Sequence, residues 1–436
     1  MKKILLFAAI LYCFNLNAQQ SLLQSGPMLG YSEMKETIIW VQTKIEVKVQ
    51  IAYWIENDQK FWTTSKETKR SEAFTAKLIA NKIEPGNIYH YQVFINDQPL
   101  EFDYPTTFQS APLWKYRGDP PNFTLATGSC AYINEEKYDR PGKPYGSDYE
   151  IFEAIHKKKP DLMVWLGDNF YYREADWNSW TGILHRNTHT RSASELQPLL
   201  ASTHHYAIWD DHDYGPNNSD RGLWNKEQTY DAFKLFWPNP SFGITKAKGA
   251  ITYFQWGDAD FILLDNRTYR SPNNLKRDHK TILGETQLQW LKDVLVSSEA
   301  TFKIVAMGGQ FLNSAQVYET YSNNGFKPER DEIINFIHEQ DIKGVIFLTG
   351  DRHFTELSLL NEDGKPDIYD LTTSSLTAGV NTYGSNEENE YRVANTLVMR
   401  HNFSLLKFEG PLKERKLIIE NYDYLGKKMW EYTISE

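Results

Sequence analysis

Apolar residues along this chain follow two rhythms. In the first quarter they form short, partly alternating runs at 37–41 (TIIWV), 46–54 (EVKVQIAYW) and 88–95 (IYHYQVFI). β-Branched and aromatic residues dominate these runs, which predicts strands. The segment Glu84-Pro85-Gly86-Asn87 is a turn signal before the last of them. Short strands at this spacing predict a small β-sandwich over 19–110. The stretch 111–121, with Pro112, Gly118, Pro120 and Pro121, reads as a linker.

From 122 onward short apolar runs alternate with helical patterns, which predicts a layered α/β domain over 122–436. Strands are predicted at 123–126, 162–166, 206–209, 253–255, 261–264, 303–307 and 345–348, and again at 405–407 and 416–420. Helices are predicted at 148–158, 226–236, 287–296 and 329–339. In the first helix Tyr149, Phe152, Ile155 and His156 fall on one face, as packing on a sheet requires. The run 162–166 (LMVWL) has no polar member, the mark of a strand buried on both faces.

Composition narrows the function. The 436 residues suffice for two or three domains, and 41% hydrophobic residues supply a large core. A net charge of −10 argues against nucleic acid or an anionic membrane surface as the main partner. Residues 1–18 have the form of a secretory signal: Lys2-Lys3, an apolar run from Ile4 to Leu11, and a small residue at Ala18 where cleavage is expected. A buried N-terminal strand and a lipoprotein signal at Cys13 are the competing readings. The expected location is secreted or periplasmic. Cleavage leaves Cys130 as the one cysteine, either a small buried hydrophobe or a reactive or ligating thiol. No repeat, low-complexity tract or long charge block is present.

Five predicted strands end in residues that a core would reject. They lead to Ser129-Cys130, to Gly167-Asp168-Asn169-Phe170-Tyr171, to Asp210-Asp211-His212-Asp213, to Asp265-Asn266-Arg267, and to Gly350-Asp351-Arg352-His353. Sheet geometry gathers such ends in one cleft. Asp168, Asp211 and Asp351 are hard oxygen donors, His353 is intermediate and Cys130 is soft. Asp351 and His353, two apart, would project to the same side of an extended backbone. Acids gathered this closely repel unless a cation joins them. Each motif also has a plainer reading: an Asx-turn at Gly167-Asp168, a solvated or capping loop at Asp210–Asp213, a structural ion pair at Asp265 and Arg267. Taken together they predict a metal-dependent site.

The motifs, in this order, resemble the PhoD-like alkaline phosphatase family of the metallophosphoesterases. The likeness rests on Gly128-Ser129-Cys130, Gly167-Asp168-Asn169-Phe170-Tyr171, Trp209-Asp210-Asp211-His212-Asp213 with Asn217-Asn218, Leu264-Asp265-Asn266-Arg267 with Tyr269-Arg270, and Gly350-Asp351-Arg352-His353-Phe354. It implies a four-layer α/β/β/α metallophosphoesterase-type sandwich preceded by the small N-terminal β-sandwich. It also implies a mixed Fe3+ and Ca2+ site and hydrolysis of small-molecule phosphate esters, mono- or diester, by a metal-activated hydroxide. The resemblance assigns Cys130, Asp168, Tyr171 and His353 to iron, with Asp168 shared. Asp351 goes to the second metal, which Asp211 or Asn217 completes. His212, Arg352 and Arg267 are assigned to charge stabilisation or protonation of the leaving oxygen. The segment Tyr214-Gly215-Pro216 lengthens the acidic loop relative to the family spacing. Gln310 stands near where many metallophosphoesterases have a metal-binding histidine. The chain is expected to be a monomer with no transmembrane segment. Two alternatives are a phosphodiesterase or phospholipase D-type enzyme acting on lipid head groups or nucleotides, and a secreted glycan- or wall-binding protein with structural metals.

Overall fold

A computed structural model describes residues 20–435 except 57, 278, 318, 319 and 324. The expected signal and Cys13 lie outside the described residues. The first part of the chain supplies β1 (Leu23–Ser32), β2 (Thr37–Thr43), β3 (Lys48–Trp54), β4 (Phe61–Trp62), β5 (Lys66–Glu67), β6 (Thr75–Ala80), β7 (Ile88–Ile95), β8 (Gln98–Pro99) and β9 (Thr107–Gln109). The remainder supplies β10 (Phe123–Gly128), β11 (Leu162–Leu166), β12 (His204–Ile208), β13 (Thr252–Trp256), β14 (Ala259–Leu263), β15 (Phe302–Ala306) and β16 (Val345–Thr349). After these come β17 (Glu356–Leu360), β18 (Ile368–Thr372), β19 (Asn402–Glu409), β20 (Lys416–Asp423) and β21 (Lys428–Ser435). The helices are α1 (Glu150–Lys157), α2 (Trp180–Arg191), α3 (Gln197–Ser202), α4 (Asp211–Tyr214), α5 (Lys226–Phe236), α6 (Gly284–Ser297) and α7 (Lys327–Glu339).

The strands form three sheets. The largest has the order β21-β20-β19-β10-β11-β12-β1-β2-β6 and the second β13-β14-β15-β16-β18-β17. The third, β4-β3-β7-β8 with β5 on β3 and β9 on β7, closes the N-terminal sandwich over β1, β2 and β6. Side-chain alternation explains the layering. On β11, Leu162, Val164 and Leu166 enter the core between the two large sheets, while Met163 and Trp165 enter a core under the helices. On β16, Ile346 and Leu348 face that same intersheet core, and Val345 and Phe347 face α6 and α7. Both strands are therefore buried on both faces, as their uninterrupted apolar sequence predicts. The result is four layers: α1, α3 and α5, the larger sheet, the second sheet, then α6 and α7.

The N-terminal sandwich is hydrogen-bonded to this body. β1 runs parallel to β12, with Leu29 opposite His204. The Tyr91 hydroxyl donates to Ala201 O at 2.7 Å and the Trp40 indole to Leu235 O at 2.9 Å. No described helix is long and apolar enough to cross a membrane.

Leu348 is fully buried between the two sheets. Truncation to alanine is expected to destabilise the chain by about 2–5 kcal/mol. Urea unfolding should show a lower midpoint with an unchanged slope.

Candidate metal centre at the meeting edge of two sheets

Strands β10, β11 and β12 are mutually parallel, as are β14, β15 and β16 in the facing sheet. Their carboxyl ends share one edge, and the loops that leave them interlock. The Cys130 N–H donates to Gly167 O at 3.3 Å, Ala131 N–H to Asp168 O at 2.8 Å and Gly350 N–H to Gly308 O at 2.7 Å. The approach across the sandwich leaves no space for side chains at two glycines. A Cβ on Gly308 would lie 2.4 Å from Asp210 Cγ, and one on Gly350 would lie 2.6 Å from Ser129 Cβ. Four neighbouring residues take left-handed backbone: Cys130 (φ 61°), Asp168 (49°), Asp351 (68°) and His353 (57°). Side chains rarely adopt this region, and its use is concentrated at functional sites. It also replaces the extended geometry expected for Asp351 and His353.

The edge collects three groups of potential ligand atoms, each group within 4.8 Å: Cys130, Asp168 and His353; Asp168, Asp211 and His212; Asp210, Asp211 and Asp351. Asp168 belongs to the first two. Cys130 Sγ lies 3.7 Å from Asp168 Oδ2 and accepts from Ser374 Oγ at 3.2 Å. The Tyr171 hydroxyl is 3.2 Å from His353 Nε2. His353 Nδ1 meets the Gly379 carbonyl. A carbonyl only accepts, so Nδ1 carries the proton and the Nε2 lone pair faces Tyr171 and the acids. Asp210 Oδ2 and Asp211 Oδ1 are buried and accept no hydrogen bond.

Burial pushes the Asp168 carboxyl well above its usual range, and Asp211, Asp210 and Asp351 push it further. Burial, then Asp168 and Asp351, also raises the Cys130 thiol. The Tyr171 phenol is raised by burial, Asp168 and Cys130. Asp211 behaves oppositely: burial would raise it, but Arg267, His212 and the Asn218 N–H together hold it low. The His353 imidazole is pushed down to about 4 by burial, against the pull of Gly379 O. Two unit charges about 5 Å apart at an effective dielectric near 20 repel by roughly 3 kcal/mol. A cation would remove that repulsion and use the idle carboxylate oxygens. The donor types fit it: sulfur, phenol, imidazole and carboxylate on one side of Asp168, carboxylates on the other.

Other expected site residues fall differently. The acidic stretch is a one-turn helix, α4, whose start is capped reciprocally by Asp210 and Asp213. The capping and functional readings of this stretch thus coexist, because Asp211 and His212 face the cluster. The His212 N–H donates to Asp168 Oδ1 at 3.2 Å, and its ring centroid is 4.2 Å from that of Tyr171. Asn217 is exposed, whereas the Asn218 N–H donates to Asp211 Oδ2 at 2.5 Å. The contact with the acid is made by the backbone of Asn218. Arg267 is buried and bonded to Asp210, with Asp211 at 3.7 Å. Arg352 forms a buried ion pair with Glu387, in the segment that follows β18, and its Nε is buried with no acceptor. Gln310 donates to Glu356 and Thr372, both at 2.9 Å, in a buried polar network.

A model of the PhoD-like phosphatase family matches residues 125–412. The chain belongs to the PhoD-like phosphatase family. A model described as a domain of unknown function matches residues 20–112. Alkaline phosphatase D of Bacillus subtilis (strain 168) is 26% identical over 348 residues, 68% of this chain and 56% of that protein. The match thus spans little more than half the length of that curated relative. The solved structure of PhoD superposes with a TM-score of 0.75 at 18% identity, covering 96% of this chain and 89% of the other. The purple acid phosphatase PPD1 from yellow lupin (Lupinus luteus) seeds superposes with a TM-score of 0.64 at 11% identity, covering 94% and 74%. The sandwich is of the metallophosphoesterase type.

Asp168 is the residue common to the first two ligand groups. Asp168→Asn is expected to lower bound metal by more than half, read by elemental analysis of the purified chain. With metals chelated, the variant should melt at or above wild type, because one repelling carboxylate is gone. Full metal content would show that Asp168 is not shared.

Proposed function

We propose that this chain is a metal-dependent hydrolase of phosphate esters, of the alkaline phosphatase type. The observation that carries the reading is the pair of ligand groups sharing Asp168 at the edge where both sheets end. Family membership supports the same chemistry. Cys130, Tyr171, His353 and Asp168 would hold one ion. A thiolate, a phenolate and an imidazole together favour ferric iron over zinc. Asp168, Asp211 and Asp351 would hold a harder ion, calcium in this reading. When bound, such ions neutralise phosphate oxygens and activate a water for in-line attack.

The protein groups divide the remaining work. His353 is held in one tautomer by Gly379 O, so its ligating nitrogen needs no reorientation. Arg267 holds Asp210 in place and helps keep Asp211 ionised. His212 stands over Tyr171, where it would meet the leaving oxygen; burial lowers its basicity, and Asp211 and Asp210 offset that only in part. No covalent phospho-enzyme is required. Residues 1–18 serve as an export signal in this reading, residues 19–110 as an accessory sandwich, 111–121 as the linker and 122–436 as the catalytic unit. The chain acts as a secreted or periplasmic monomer on small phosphate esters.

Metal-loaded protein is expected to release p-nitrophenol from the chromogenic monoester. Asp168→Asn should lower kcat/KM by more than ~100-fold, beyond what loss of a supporting hydrogen bond costs. Wild-type activity in that variant would overturn the scheme. Measured beside it, the bis-ester sorts monoesterase from diesterase. A tyrosinate–ferric centre absorbs visible light, so Tyr171→Phe should bleach the protein. A colourless, iron-free and fully active wild type would remove iron from the reading.

A further inference from the structure

Three buried arginines stand by the acidic edge, and their charges are met differently. Arg267 is matched by Asp210 and Asp211, and Arg352 by Glu387. Arg270 is 7% exposed and forms no ion pair with any carboxylate among the described residues. Its Nη2 donates to Asn273 Oδ1 at 3.3 Å, and its guanidinium lies 4.4 Å from the Phe326 ring centroid. Its Nε is buried and has no acceptor. Asn273 Nδ2 donates in turn to Asn218 Oδ1 at 3.4 Å, and the Asn218 N–H donates to Asp211. Arg270 is thus three hydrogen bonds from a candidate metal ligand, on the Asn218 side of the cluster.

A buried guanidinium without a counter-ion is strongly unfavourable, and one cation–π contact offsets only part of that. Its planar fork matches two oxygens of a phosphate. Arg267 and Arg352 each already donate to a carboxylate, whereas Arg270 donates only to an amide oxygen. We propose that Arg270 is the anion contact of the site, with its Nε–H and Nη–H groups donating to phosphoryl oxygens of the ester held at the acidic edge. This rests on the phosphoesterase reading and adds to it a specificity-determining residue.

The test uses the full metal-loaded chain with inorganic phosphate as the probe. Phosphate is expected to raise the melting temperature of wild type and to inhibit ester hydrolysis competitively. Arg270→Met removes the charge at similar length. It should melt at or above wild type in phosphate-free buffer, while the inhibition constant for phosphate rises at least ~10-fold. KM should rise more than kcat falls. Arg270→Lys keeps the charge but not the fork and should still bind phosphate several-fold more weakly. An Arg270→Met chain that melts lower yet keeps the wild-type phosphate constant would overturn the proposal and make Arg270 a structural residue. Wild-type phosphate binding in Arg270→Lys would also count against it, even if the methionine variant fails to fold. If wild type hydrolyses no ester, the phosphoesterase reading fails. The phosphate-dependent melting shift, and its change in the variants, still decides the role of Arg270.

Discussion

Repulsion between buried carboxylates governs this molecule. Asp168, Asp210, Asp211 and Asp351 are brought to one edge by strands buried along their whole length. Nothing in the packing of the sheets requires acids there. One acid is held ionised by Arg267 and another is forced towards its neutral form. That division is what a site does when its positive charge is incomplete. The structure around it resists relaxation, because left-handed residues, glycine contacts and backbone hydrogen bonds fix where each carboxylate stands. Pre-organisation of this kind lets a polar site act without rearranging during reaction.

The sequence was most legible where the burial pattern was plain, two-sided in one strand and one-sided in another. LMVWL at Leu162–Leu166 and IYHYQVFI at Ile88–Ile95 occupy the predicted spans without change, because an apolar run or a clean alternation leaves little choice of face. Helix α5 also occupies its predicted span. Other elements gave no such signal. Helix α2, WTGILHRNTHTR, buries Arg186, Asn187, Thr190 and Arg191, so its inward face is polar and has no helical hydrophobic period. Strand β1, LQSGPMLGYS, contains glycines and a proline that suppress strand propensity, and it is held by neighbours on both sides. β17 and β18 complete the second sheet although Glu356 and Asp370 sit within them, because each acid is satisfied by buried donors.

The candidate site was legible as a set of residue types, less so as a set of partners. Cys130, Asp168 and His353 converge as their strand-end positions imply. Which asparagine meets Asp211 depends on a turn at Gly215 and Pro216 that spacing alone does not resolve. Whether an arginine is free depends on carboxylates far away in sequence: Glu387 occupies Arg352 and Asp210 occupies Arg267. Long-range pairing of this kind leaves no local trace, which is why Arg270 stands out only once the fold is known.

The interlocked backbone at the edge also bears on how such a site changes over evolutionary time. Cys130, Asp168 and Asp351 are positioned by main-chain conformation and by bonds between loops, not by the identity of their side chains. A substitution at one of them can alter the softness of the donor set without moving its neighbours. Choice of cation is thus separable from choice of fold, and one scaffold can drift between metals by single residue exchanges while its architecture stays the same.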